Sequence, residues 1–115
     1  MASLLRYPRN DPNQRAELGD TALIRAAYAG RADMVKLFLN DERVDPDMSN
    51  DHGWTALIAA AHKGHAAIVA MLLCHKRVDP RLTDREGKTA LMVATIAGKI
   101  DAVKLLMGDR RIKKS

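Results

Sequence analysis

The chain has 115 residues, of which 47% are apolar and 29% charged, with a net charge of +5; this is the composition of one globular domain and excludes a disordered polyelectrolyte. Eighteen Ala and thirteen Leu stand against four aromatic residues, Tyr7, Tyr28, Phe38 and Trp54, which disfavours a sheet sandwich and favours helices that approach closely through small side chains. The single cysteine, Cys74, rules out an intrachain disulfide and fits a reducing compartment.

Taken in chain order, the first recognisable pairs are Leu4-Leu5 and Asp11-Pro12. They lie 34 positions before Phe38-Leu39 and Asp45-Pro46. Residues 1–15 are therefore expected to be the tail of a preceding unit, acting as a partial N-terminal repeat or cap. The pattern Gly-x-Thr-Ala-Leu then occurs at 19–23, 53–57 and 87–91, with Thr21, Thr55 and Thr89 each 34 residues apart. The same step relates Gly30, Gly64 and Gly98, then Val35, Val69 and Val103, then Leu39, Leu73 and Met107. Three repeats follow, at 16–49, 50–83 and 84–115. The third carries a basic C-terminal tail, with Lys113-Lys114 where the other units have Asp-Pro.

The middle unit shows what each should fold into. Thr55 is a helix N-cap, because its hydroxyl can accept from an otherwise unpaired amide. Residues 56–62 form a short helix with Leu57, Ala60 and Ala61 on one face. Gly64 stops it in the left-handed conformation. Residues 65–74 form a second helix, with Ile68, Val69, Leu72 and Leu73 inward. Val78-Asp79-Pro80 breaks that helix, and 83–87 turn tightly into the next threonine. No unit buries its apolar face alone, so the units must stack into an all-α solenoid of helix pairs with projecting hairpin loops, one domain over 1–115. In the third unit Thr95, Lys99 and Ala102 are more polar or smaller than their counterparts, which points to a C-terminal cap.

At these residues the chain resembles the ankyrin repeat family, whose unit of about 33 residues is a β-turn and two antiparallel helices with a Gly-x-Thr-Pro-Leu-His-x-Ala signature. The matching stretches run from Gly19 to Ala26, Gly53 to Ala60 and Gly87 to Ala94, and the family's Gly-His appears at Gly64-His65. Ala22, Ala56 and Ala90 replace the proline, at little cost at a first helical position. Ile24, Ile58 and Met92 replace the histidine that ties neighbouring loops, so an apolar contact is expected there and the loops are expected to be less rigid.

Candidate chemistry is sparse. Cys74 has His75 beside it, but adjacent helical residues do not face each other; a half-buried cysteine at a helix end is expected. His52, His62, His65 and His75 all lie in the middle repeat. His65 and His75 are ten residues apart on one helix, about 15 Å, and cannot share an ion. No phosphate-cradling or nucleophile-elbow motif is present. The reading is a non-enzyme with no cofactor and no metal.

In such a solenoid the concave surface takes the partner. Leu18, Asp20, Tyr28, His52, Trp54, His62, Lys88 and Ile96 are the expected partner-binding residues. Trp54 is the sharpest, because Asp20 and Lys88 hold the same place in the other units, so the fold does not demand an aromatic there. Leu18, Tyr28, Trp54 and Ile96 are expected to form one apolar strip. A protein partner is expected and a nucleic acid is not, because the basic excess sits at the chain ends rather than along a track. The alternatives are a targeting or scaffold arm of a longer protein or enzyme and, ranked below it, a weak nucleic-acid binder. No apolar run approaches the ~20 residues of a membrane span, and residues 1–6 do not read as a secretion signal. The expectation is a monomer in the cytoplasm, or the nucleus.

Overall fold

A computed structural model describes residues 21–113. The described chain holds seven helices: α1 Ala22–Ala29, α2 Ala32–Leu39, α3 Ala56–Lys63, α4 Ala66–Cys74, α5 Ala90–Ile96, α6 Ile100–Met107 and the short α7 Arg110–Lys113. Each of the three repeats contributes a pair. The segment 1–15, Leu18 and Asp20 lie outside the described residues.

The threonines act as the sequence requires. The amides of Ile24, Ile58 and Met92 donate to the hydroxyls of Thr21, Thr55 and Thr89 at 3.2, 3.3 and 3.3 Å, satisfying one orphan donor at each helix start. Gly64 ends α3 at φ 74°, its amide bonded back to the carbonyls of Ala60 and Ala61, as a left-handed stop does. The hairpins are reduced to a single bridge among the described residues, Thr83 with Thr89.

First helices stack in the order α1, α3, α5, and second helices in the order α2, α4, α6. Burial follows that order. Ala56, Leu57, Ile58, Ala59, Ala60 and Ala61 are all buried in α3, which has neighbours on both sides. In α1 the outer positions Ala22 and Arg25 are exposed, and in α5 the opposite ones, Met92 and Thr95. Alanine lets the α3 backbone lie close to both flanking helices, and the core is a thin sheet of small side chains threaded by Leu23, Val35, Ile68, Leu72 and Leu106.

Leu73 is half-buried and packs on the core beside Ile68, Val69 and Leu72. One expectation needs correction. Cys74 is exposed rather than half-buried, since it is the last residue of α4 and projects past that face. In the third repeat Thr95 is exposed, Ala102 is buried in the core, and Lys99 lays its stem on Gly64. Beside Thr95 the outer face shows Met92 and Ile96.

Candidate functional site

The site is built by two loops with the same internal wiring. Asn50 and Asp84 occupy equivalent positions, 34 residues apart. The Asn50 Oδ1 accepts from the amides of His52 and Trp54 at 2.9 and 3.0 Å, and the Asp84 Oδ1 accepts from Glu86 and Lys88 at 2.8 and 2.9 Å. A short polar side chain thus closes each turn on its own backbone. The loops are joined to each other by the Arg85 amide, which donates to the His52 carbonyl at 3.1 Å. Gly53 makes that approach possible: at φ 79°, an added Cβ would lie 2.7 Å from the Arg85 nitrogen. The bond from Arg85 to His52 ties the second and third repeats, where Ile58 stands at the position of the family's histidine.

The joined loops hold Trp54 in place. The indole is half-buried and meets the His62 ring, from the last turn of α3, at 4.9 Å between centroids and a 49° tilt. Its side chain also lies toward the Asp84 carboxylate of the next repeat and favours the ionised form. Burial pushes the Asp84 carboxyl up. The amides of Lys88 and Glu86, the Trp54 side chain and the Lys88 charge together outweigh it, so the carboxyl is held below its usual value. Lys88 in turn pairs with Glu86, which raises the ammonium's pKa. Between the loops and the ends of α3 and α5 lies a groove of about 640 Å³, lined by His52, Trp54, His62, Lys88, Val93 and Ile96, with Asp84, Arg85, Glu86 and Ala97 around them.

Five of the eight expected site residues therefore line one groove: His52, Trp54, His62, Lys88 and Ile96. Tyr28 does not line it. The tyrosine is 45% exposed and its ring lies 5.0 Å beneath the Lys63 ammonium, an attraction of a cation for the negative ring face. Trp54 and Ile96 of the expected apolar strip line the groove, and Tyr28 lies outside it.

The polar contacts that tie repeats together at the far end of the helices were not expected from sequence. The His75 ring accepts from the Arg77 amide at Nδ1 and therefore donates from Nε2 to the Leu39 carbonyl, at 3.2 and 3.1 Å. The Arg111 guanidinium, steadied by Asp109, donates to the carbonyls of Leu73 and Val78, both at 2.6 Å. The signal was available: Arg43, Arg77 and Arg111 repeat at the 34-residue step. These contacts brace the stack.

Among the described residues no three His, Cys, Asp or Glu side chains gather as metal ligands. No helix among them is long and apolar enough to cross a membrane. A family model described as ankyrin repeats, in three copies, matches residues 1–84 and 42–115. No curated protein matches the chain.

Proposed function

Because the chain belongs to the ankyrin repeat family, whose repeats generally serve as protein-interaction modules and are typically non-catalytic, we propose that it binds a partner protein through the groove between its second and third repeats. Trp54 is the anchor and Ile96 the apolar wall beside it. His52, His62 and Lys88 supply directional contacts. Tyr28, at the repeat position of His62 and Ile96, extends the surface along the first helices, with Leu18 and Asp20 as further contacts toward the N-terminal side.

The observation that carries this reading is the convergence of five side chains on one groove. Positions 54, 62, 88 and 96 differ among the repeats while the core positions keep their character. A half-buried tryptophan, already set against His62 and toward Asp84, loses little rotamer freedom on binding, the property of an interface anchor.

The test is a binding comparison of wild-type chain, Trp54→Ala, Ile96→Asp and a control on the second helix of the first repeat, Leu37→Asp, whose side chain is 64% exposed outside the groove. Partner binding should weaken by at least ~2 kcal/mol in the two groove variants and be unchanged in the control. Equal loss in all three, or loss only in the control, would refute the reading.

A further inference from the structure

The chemistry of the groove selects among protein segments. Three of its four charged groups are already engaged: Asp84 accepts from two backbone amides, and Glu86 and Lys88 are paired with each other. The fourth, Arg85, is exposed, and its guanidinium makes no hydrogen bond or ion pair among the described residues. His52 is exposed at the same rim. The floor between them is apolar, formed by Trp54, Val93, Ile96 and Ala97.

Resting on the reading of the groove given above, we propose that its occupant is an acidic protein segment: an aliphatic side chain seats between Trp54 and Ile96, and a neighbouring Asp or Glu meets Arg85 and His52. A guanidinium fork binds a carboxylate through two parallel hydrogen bonds. A basic segment would instead face Arg85, the one groove charge not already paired or bonded to backbone. Because the cations lie at the rim, the charge contact mainly governs association rate and partner choice, while the apolar seat supplies the hold. The preference is accordingly salt-sensitive, since exposed charges are screened beyond about 8 Å at physiological ionic strength.

The experiment is selection of random twelve-residue peptides displayed on phage against the intact chain, its helicity verified by circular dichroism. Enriched peptides are expected to carry an aliphatic residue within three positions of an Asp or Glu. Their binding should vanish in Trp54→Ala and weaken about three- to tenfold in Arg85→Glu, or on raising NaCl from 50 to 500 mM. Peptides that need Trp54 but lack acidic residues, or are rich in Lys and Arg, would overturn the acidic assignment and leave the groove reading standing. Peptides indifferent to Trp54, or no enrichment on the folded chain, would overturn both.

Discussion

Ile58 and Met92 occupy the same repeat position, yet Ile58 is 1% exposed and Met92 is 50% exposed. The difference is that α5 stacks on α3, and no further first helix covers Met92 among the described residues. Truncation to alanine removes three side-chain heavy atoms in either case. At Ile58 all three leave a closed core: at ~0.8 kcal/mol per buried methylene the transfer loss is about 2.5 kcal/mol, and the unfilled space raises the total to about 3–4 kcal/mol. At Met92 half of the surface is already in water, so the loss is about 1 kcal/mol. Urea unfolding followed by circular dichroism at 222 nm measures both, provided the slopes agree with the wild type. Met92→Ala costing as much as Ile58→Ala would refute the stacking order as the cause of burial.

The same logic separates two glycines that share φ 79°. Gly53→Ala should cost more than ~2 kcal/mol, because strain adds to contact with the Arg85 backbone, while Gly87→Ala, with open space around it, should cost only the ~1–2 kcal/mol of left-handed strain; equal costs in thermal melts would contradict the close loop approach. Arg111→Met should lose ~1–2 kcal/mol, reduced by the guanidinium's partial exposure, and hydrogen exchange should rise first in α6 and α7; a uniform rise along the chain would contradict a local brace. Asp47 has its pKa raised, first by burial and then by the charges of Asp45 and Asp79, against the Asp79 amide and Arg111. A raised folded pKa means the stability Asp47 contributes is full below the usual value of 3.8 and is lost as pH rises through the folded value. Asp47→Asn keeps an acceptor for the Asp79 amide, now 3.0 Å away, so the variant should be at least as stable as wild type at pH 7, with the gain gone at pH 3. A loss confined to neutral pH would reverse the sign of that argument.

Much of this was legible in the sequence because a solenoid repeats its physics. Three threonines at one spacing cap three helices, and Gly64 stops α3, since capping depends on neighbours within a few residues. Trp54, His62, Lys88 and Ile96 could be singled out because each breaks the repeat pattern where the core does not require it. Contacts between units were harder to read. Trp54 lies toward Asp84, thirty residues on, and Arg111 reaches the Leu73 carbonyl. Periodicity gives the place of a polar side chain in its unit but not the direction in which a long one extends. Cys74 was misplaced for a related reason: at a helix end the apolar face narrows, and the inward positions were already filled by Leu72 and Val69.

Trp54 is the only tryptophan of the chain, so its emission reports directly on the groove. Titrating the folded chain with a tightly bound segment while following that emission should give a saturable shift at one segment per chain, and Ile96→Asp should abolish it. A segment that binds with equal affinity to Ile96→Asp and leaves the Trp54 emission unchanged would contradict the assignment of the groove as the binding site.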